Sequence, residues 1–466
     1  MESVLNLKID EYFNEMVRNL QEFITIPSVM DEDKSDKNYP FGPKIDEALK
    51  WILNKSREMG LATKNVDNYA GYAETGKGIE MVGILGHIDV VPAGTGWSAA
   101  SPFGGEIKEG KLYGRGSVDD KGPTLAALYA LKAIKESRLP VSKRARLIIG
   151  TDEETEARGL KYYLEKEETP IYGFSPDAEF PIIYAEKGIL RFEIIKSFTQ
   201  EKGCRPFLIS VQGGTRLNVV PDCAEAIIKG VDKEKILQLV NQEGFAGKIL
   251  IEDSLDGIHI KAEGLSAHAS YPEDGENAIQ MLLSFLSHIS FGGRKAKTFI
   301  DAAVARLKME HDGRTLGISC SDKVSGALTI NLGIADFNAE RGSLKFDVRY
   351  PVTADGNQII EKLKEIAMDL ESEFRIIQHK LPLYVEPDTP FIKKLQNIYK
   401  EMTGAEAELI SIGGGTYCRY IKNTVSFGPV FPGQKELAHQ KDEYILLEDL
   451  RKISKIYVQA IYELIK

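Results

Sequence analysis

Apolar and polar positions along the first 180 residues predict helices and strands in turn. Apolar residues at helical spacing indicate helices over about 8–24 and 42–59, and Gly60 follows the second as a helix stop. MVGILGHIDVV and RARLIIGT are continuous apolar runs typical of buried strands, with a helix predicted between them over 122–137. Strand, helix and strand in this order predict parallel pairing in an α/β layer structure.

The pattern changes after about residue 187. Strand-like segments dominate there, with one strong helix predicted over 277–291 and another near 358–372, and helical patterns return from about residue 385 to a closing helix at about 447–465. We therefore predict a discontinuous α/β domain formed by residues 1–186 and 385–466, interrupted by an α+β domain over residues 187–384.

Composition and charge narrow the class of protein. The chain has 466 residues, 43% of them hydrophobic, and a net charge of -10, which argues against nucleic acid or an anionic membrane as partner. Neither a signal peptide nor a membrane-spanning run is visible, so we expect a cytoplasmic protein. The cysteines lack CxxC spacing and are predicted to be ordinary buried thiols; they are Cys204, Cys223, Cys320 and Cys418.

His87 and Asp89 are the first candidates for chemistry. They are one residue apart after an apolar run, so in extended backbone both side chains project to the same side. Asp89 would then accept a hydrogen bond from one imidazole nitrogen while the other binds a metal ion. The alternative is a surface histidine beside an aspartate at the end of a strand.

Three further acidic residues lie in contexts that suit a metal ion. Asp119, in GRGSVDDKGP, follows glycines that permit close approach to an ion, although an aspartate here also suits a helix cap. Glu153 and Glu154 directly follow a predicted strand, and adjacent carboxylates need a cation or a proton between them. One can coordinate metal while its neighbour takes a proton from water; the alternative is a solvated acidic turn.

Asp177, in SPDAEF, and His439, in LAHQKDE, complete the set. Taken singly, they are typical of a turn residue and of a solvated surface histidine. Together the residues make a ligand set for two divalent metal ions, with oxygen and imidazole ligands that favour Zn²⁺ and also accept Mn²⁺ or Co²⁺. The predicted ligands are His87, Asp119, Glu154, Asp177 and His439.

With HxD, GRGxxDxKG, a Glu-Glu pair, SPDxE and a late histidine in this order, the chain resembles the M20 family of metallopeptidases and deacylases. The match spans almost the full length, and HIDVVPAGTGWSAASPFGG looks most like the PepV-type, carnosinase-like dipeptidase branch. The resemblance implies a zinc-peptidase-like α/β catalytic domain with a mixed central sheet flanked by helices and an inserted α+β lid domain.

The resemblance also implies individual roles. Asp119 would bridge two metal ions, with His87 and Asp177 on one ion and Glu154 and His439 on the other, and the Asp119–Asp120 peptide would be cis. Asp89 and Glu153 would act in catalysis, Glu153 as the general base for a water shared by the two ions. In the second domain, His268 would stabilise the oxyanion, and the predicted substrate contacts are Asn218, Arg349, Gly413, Gly414, Gly415 and Thr416. For His268 a packed or helix-capping histidine is the alternative.

The resemblance implies hydrolysis of the peptide bond of unblocked dipeptides by a monomer, with a homodimer left open. One alternative is an N-acyl amino acid deacylase, for example a desuccinylase or deacetylase of the same family, with the same metal chemistry and another substrate pocket. An alternative of a different class is a noncatalytic metal- or peptide-binding protein. The presence of Glu153 argues against the latter, because such a protein is expected to lack the general base or a ligand.

Overall fold

The computed structural model describes residues 3–198, 206–290, 294–308 and 310–466. These residues form two compact units by backbone contacts: Met1–Ala185, Tyr384–Ser411 and Gly415–Lys466 in the first, and Glu186–Leu383 with Ile412–Gly414 in the second. Ile412–Gly414 therefore cluster with the second unit, although the sequence placed them in the closing part of the first domain.

The chain up to Ala185 forms most of the first unit. Its helices are α1 Val4–Ile24, α2 Pro43–Glu58, α3 Lys121–Ser137 and α4 Arg158–Lys166, with a 3-10 turn at Glu32–Lys34. Its strands are β1 Ala62–Val66, β2 Ala70–Gly76, β3 Met81–His87, β4 Ile107–Lys108, β5 Lys111–Tyr113, β6 Arg144–Gly150, β7 Tyr172–Ser175, β8 Ala178–Glu179 and β9 Ile182–Glu186.

The middle of the chain forms the second unit. Its helices are α5 Lys233–Gln242, α6 Ala278–Ser287, α7 Arg294–Leu307 and α8 Gly356–Asp369, with a 3-10 turn at Pro272–Asp274. Its strands are β10 Gly188–Ser197, β11 Phe207–Gly213, β12 Cys223–Lys229, β13 Ile249–Ser254, β14 Gly257–Glu263, β15 Ser321–Asp322, β16 Gly326–Ala327, β17 Thr329–Phe337, β18 Arg341–Tyr350 and β19 Glu373–Lys380.

The last part of the chain returns to the first unit. It contains helices α9 Pro390–Thr403 and α10 Leu447–Ile465, a 3-10 turn at Tyr417–Tyr420, and strands β20 Leu383–Tyr384, β21 Leu409–Ile412, β22 Thr424–Ser426, β23 Pro429–Val430 and β24 Tyr444–Leu446. In the described residues, no helix is both long and apolar enough to cross a membrane.

The first unit is built on a mixed sheet in the strand order β1-β2-β6-β3-β7-β22-β9-β20. β3 runs parallel to β6 and β7, whereas β1 and β2 are antiparallel additions at one edge. All seven residues of β3 are buried, as expected for a strand with both faces covered, and α3 and α10 pack against β3 and β6. The α/β class and the parallel pairing predicted from the sequence are confirmed.

The centre of this sheet depends on closely packed aliphatic side chains. Leu147 of β6 is fully buried, with Ala73 and Ile84 as its neighbours on the two adjacent strands. We expect Leu147→Ala to lower the free energy of unfolding by about 2–5 kcal/mol, because it leaves a cavity between three strands. Guanidinium unfolding followed by tryptophan fluorescence reports on this unit, because both tryptophans of the chain, Trp51 and Trp97, lie in it.

Ile79→Ala is a matched control for that measurement. Ile79 lies just before β3 in the chain, and it is 94% exposed. This variant is expected to unfold within about 0.5 kcal/mol of the unchanged protein. An equal loss of stability in both variants would contradict the assignment of Leu147 to the core.

The second unit is an antiparallel sheet in the strand order β13-β14-β12-β11-β17-β18-β10-β19, with α5, α6 and α8 packed against its strands. Most of its buried apolar side chains form one hydrophobic cluster. The predicted helix over 277–291 is shorter in the structure and ends at Ser287, whose hydroxyl donates to the carbonyl of Ser284. The sequence pattern did not predict helices α5 and α7 in this unit or helix α4 in the first unit.

Of the three cysteines that the structure describes, the prediction of buried thiols holds for one. Cys418 is buried, whereas Cys223 and Cys320 are partly exposed. Cys223 begins β12, on which alternate residues face away from the core, so its position on the strand explains the exposure. Cys204 lies outside the described residues.

Candidate metal centre

The carboxyl ends of the parallel strands bring three predicted ligands to one edge of the first unit's sheet. His87 is the last residue of β3 and is the register partner of Gly150, the last residue of β6. Glu154 follows β6 by four residues, and Asp177 follows the end of β7 by two. This edge is where open α/β sheets place their ligands, because the loops that leave neighbouring parallel strands meet there.

The His87 ring has a fixed tautomer. Its Nδ1 lies 3.0 Å from the backbone carbonyl oxygen of Asp89, and since a carbonyl only accepts, Nδ1 must carry the proton. The lone pair of a neutral ring is then on Nε2, which is 3.0 Å from Asp119 Oδ1 and 3.6 Å from Asp177 Oδ2. Nε2 is buried without a hydrogen-bond partner. A lone pair that faces two carboxylates suits a cation among them.

Asp89 supports the neighbouring loop as well as the ring. Its carboxylate lies 3.5 Å from His87 Nδ1, farther than its own backbone carbonyl. Its two oxygens accept hydrogen bonds of 3.1 Å each from the backbone N–H groups of Glu153 and Glu154. One buried carboxylate therefore holds the backbone of both glutamates as well as facing the imidazole.

Asp119 belongs to two ligand groups. Ligand atoms of His87, Asp119 and Asp177 lie within 4.8 Å of one another, and so do those of Asp119, Glu154 and His439. His439 Nε2 is 3.1 Å from Asp119 Oδ2 and 2.9 Å from Glu154 Oε2. Two groups of three that share one carboxylate could each hold a divalent ion, and the mixture of imidazole and carboxylate would suit Zn²⁺, Mn²⁺ or Co²⁺.

The loop around Asp119 is placed by close backbone packing. The Asp119–Asp120 peptide is cis. Asp120 Oδ2 accepts hydrogen bonds from the Thr124 hydroxyl, at 2.8 Å, and from the backbone N–H of His87, at 3.2 Å. A Cβ added to Gly86 would lie 2.1 Å from Thr124 Oγ1, so a glycine is required where α3 begins beside β3. Asp120 is the N-cap residue of α3 without a side-chain cap bond, and Asp119 faces the two histidines instead of capping the helix.

The carboxylates of this cluster repel one another. Burial and the neighbouring Asp119 charge raise the pKa of Glu154 to about 7 and that of Asp177 to about 6. Hydrogen bonds to Asp119 and Glu154 raise the pKa of His439 to about 11. An excess of negative charge therefore collects in this part of the sheet edge, and bound cations would relieve it.

Glu153 lies beside the two groups without belonging to either. Burial, followed by the charge of Asp177, raises the pKa of its carboxyl well above the usual value. A carboxyl beside the predicted ligands whose affinity for a proton is raised can take up a proton and pass it on.

Comparison with known proteins places the chain in a family. Residues 83–463 match the sequence profile of peptidase family M20/M25/M40. The chain belongs to this family. The "Putative dipeptidase YtjP" of Bacillus subtilis (strain 168) is 42% identical to it over 459 residues, 97% of each chain. A protein of Staphylococcus epidermidis (strain ATCC 12228 / FDA PCI 1200) named "Putative dipeptidase" is 36% identical, over 98% of each chain.

Solved structures agree on the fold. Human carnosine dipeptidase 1 superposes with a TM-score of 0.59 at 17% identity, over 98% of each chain. Aminoacylhistidine dipeptidase from Vibrio alginolyticus superposes with a TM-score of 0.57 at 14% identity, over 96% of each chain. The M20 resemblance drawn from the motifs, and the fold of a catalytic domain with an inserted domain, are confirmed.

Within this M20 chain, the structure shows site neighbours that the motifs did not reveal. Glu443 is fully buried, and its carboxylate accepts hydrogen bonds from the loop that leads to Asp119. The Tyr417 ring meets the His87 ring edge-on, with centroids 6.2 Å apart, and its buried hydroxyl has no hydrogen-bond partner. In the sequence, Glu443 follows the predicted ligand His439 by four residues, and Tyr417 follows the predicted substrate contact Thr416 by one. This closeness to predicted site residues was the only sign in the sequence that they lie near the site.

The second unit of this M20 chain brings two predicted substrate contacts together. Asn218 accepts a 3.0 Å hydrogen bond from the Ala269 N–H through its backbone carbonyl, and Val219 bridges to His268. His268 Nδ1 accepts from the Ser270 N–H at 3.2 Å, so a neutral ring carries its proton on Nε2. His268 keeps an exposed surface and does not cap a helix, so the fully packed and capping alternatives do not apply.

Arg349 is held rigidly in the second unit. Its guanidinium donates to Asp347 at 2.5 and 3.0 Å and to the carbonyl of Gly413 at 2.7 Å. Burial and the nearby Arg349 charge lower the pKa of His268, which favours the neutral ring. Gly413 and Gly414 cluster with the second unit and Gly415 and Thr416 with the first. The substrate-binding role of this run and of Asn218, His268 and Arg349 stays a prediction.

Proposed function

We propose that the protein hydrolyses the peptide bond of unblocked dipeptides with the help of two divalent metal ions. The observation that carries the proposal is the position of Asp119 in two ligand groups with Glu153 beside them. Relatives named as dipeptidases at 42% and 36% identity over nearly the whole chain support the choice of substrate class.

His87, Asp119 and Asp177 would hold one ion, and Asp119, Glu154 and His439 the other, with Zn²⁺ the preferred metal and Mn²⁺ or Co²⁺ acceptable. When bound, the ions would lower the pKa of water at the site and polarise the scissile carbonyl. The predicted monomeric state and cytoplasmic location stay predictions.

The chain's own side chains would move the proton. Glu153 would accept a proton from the attacking water and pass it to the leaving amine, so that no covalent enzyme intermediate is needed. The backbone N–H of Glu153 donates to Asp89, and the Glu153 carboxyl belongs to neither ligand group. His268 would donate its Nε2–H to the developing oxyanion, and Arg349 and Asn218 would bind the substrate carboxylate or a nearby carbonyl.

The alternative within the family is an N-acyl amino acid deacylase, and it is separated by substrates with and without a free amino group. Metal-stripped protein is reconstituted with Zn²⁺, Mn²⁺ or Co²⁺ and assayed on Ala-Leu and N-acetyl-leucine, then on tripeptides and N-succinyl amino acids. We expect cleavage of Ala-Leu and little turnover of N-acetyl-leucine, because the proposed substrate carries a free amino group.

The reverse preference would move the protein to the deacylases. If the protein binds two ions but hydrolyses no substrate of the panel, a noncatalytic binding protein is favoured.

A further inference from the structure

A fully buried ion pair lies beside the metal ligands and outside the proposed reaction. Glu443 is 0% exposed and Arg115 is 2% exposed, and Arg115 Nη1 donates to Glu443 Oε2 at 2.7 Å. The two residues are 328 positions apart in the chain. They are brought together because β24, which begins directly after Glu443, pairs with β5, which ends two residues before Arg115.

Glu443 holds the loop that carries Asp119. Its Oε1 accepts backbone N–H groups from Gly116 at 3.0 Å, Val118 at 2.9 Å and Asp119 itself at 3.4 Å. The backbone carbonyl of Glu443 also accepts the Gly114 N–H at 2.9 Å. Three N–H groups of one loop that converge on one carboxylate fix the direction of the backbone from which the Asp119 side chain projects.

Arg115 extends the same network towards the other ligand. The nitrogen that binds Glu443, Nη1, also donates to the backbone carbonyl of Gln440 at 3.1 Å, the residue after His439. His439 has a left-handed backbone, with φ 63°, so the direction of its side chain depends on how this turn is held. The pair therefore reaches both the bridging ligand and a ligand of the second group.

The charges of the pair favour a positioning role over a ligand role. The site already has an excess of carboxylates, and Glu443 adds no net charge because Arg115 neutralises it at contact distance. A buried ion pair contributes little to stability as such, whereas the hydrogen bonds that join this pair to two stretches of backbone favour one geometry of both.

We infer that Glu443, together with Arg115, is a positioning residue for the metal centre: it holds the Asp119 loop and the His439 turn in the one arrangement that binds both ions. The inference rests on the proposed function, because it concerns the same metal site.

The test is a Co²⁺ titration of metal-stripped Glu443→Gln, with the Kd of each ion measured beside the thermal unfolding of the metal-free protein. We expect both ions to bind about 10- to 100-fold more weakly, as is typical when a group behind the ligands is lost. Asp442→Asn is the matched control: this neighbouring acid binds Ser98 and Ala99 instead of the Asp119 loop, so its ion affinities should equal those of the unchanged protein.

A purely structural role would lower the unfolding temperature and leave the affinities unchanged. Leu395→Ala, in the buried face of α9, supplies a destabilised protein with an intact site for comparison. If Glu443→Gln binds Co²⁺ no more weakly than Leu395→Ala does, the inference is wrong.

If Glu443→Gln does not fold, Arg115→Lys decides instead, because it keeps the positive charge and loses Nη1, the nitrogen that donates to both Glu443 and Gln440. We expect this variant to bind the ion held by Glu154 and His439 more weakly than the unchanged protein does. Unchanged affinities for both ions would overturn the inference. If the protein without any substitution binds fewer than two ions, the proposed function itself is contradicted. That result is distinct from an unaltered affinity in the Glu443→Gln or Arg115→Lys variant.

Discussion

Replacement of Glu153 by glutamine is expected to lower kcat for dipeptide hydrolysis by about 10²- to 10⁴-fold, the usual contribution of a general base. Glutamine has the shape of glutamate and cannot accept the proton. Because Glu153 lies outside both ligand groups, the variant should bind the same number of metal ions with similar affinity. The backbone N–H that donates to Asp89 is also retained, so the neighbouring Glu154 should keep its place.

The measurement combines steady-state kinetics with metal analysis of the same preparation. Glu156→Gln is the matched control, because Glu156 is an exposed acid on the same turn, and its loss should leave kcat unchanged. Near-normal turnover by Glu153→Gln would remove Glu153 from the mechanism. Loss of turnover together with loss of metal would make it a ligand instead of a base.

The metal ligands could be proposed from the sequence because each stands in a local context with its own physical meaning. His87 ends a continuous apolar run, and such a run predicts a buried strand whose carboxyl end lies at the ligand edge of the sheet. Asp119 was open between a cap and a ligand; in the structure Asp120 occupies the cap position, and the Asp119 carboxylate faces both histidines, as expected for a ligand.

Glu443 and Arg115 could not be recognised in the same way. In the sequence, Glu443 ends the polar run HQKDE, and a polar run of this kind is typical of an exposed turn. Its burial depends on the pairing of β24 with β5, two strands of three residues each, for which the local pattern is too short to predict a partner. The role of Glu443 thus depends on a contact between parts of the chain that are far apart in the sequence, and the local sequence pattern does not predict such a contact.

The predicted support of His87 by Asp89 shows a finer limit. The spacing of the two residues places both side chains on one side, and the Asp89 carboxylate does lie 3.5 Å from the ring. The closest partner of the ring is nevertheless the backbone carbonyl of Asp89, and the carboxylate binds the N–H groups of Glu153 and Glu154. The alternation of side chains along a strand predicts on which side of the strand a side chain lies. It does not predict which of several nearby groups becomes its hydrogen-bond partner.

Replacement of Asp119 by alanine is expected to abolish binding of both metal ions at micromolar concentration and, with it, all measurable dipeptidase activity. Asp119 is the one residue common to the two ligand groups, with Oδ1 3.0 Å from His87 Nε2 and Oδ2 3.1 Å from His439 Nε2. Its loss leaves each ion with two protein ligands from its group, fewer than the three that catalytic zinc sites usually have.

Two single replacements give the matched comparison for this prediction, because each removes a ligand from one group only. His439→Ala should leave the ion held by His87, Asp119 and Asp177 in place, and Asp177→Asn should leave the ion held by Asp119, Glu154 and His439 in place. Metal analysis after equilibrium dialysis should therefore find two ions in the unchanged protein, one in each of these variants and none in Asp119→Ala. An Asp119→Ala protein that keeps one tightly bound ion would show that the two ions are held independently, and the bridging role of Asp119 would be wrong.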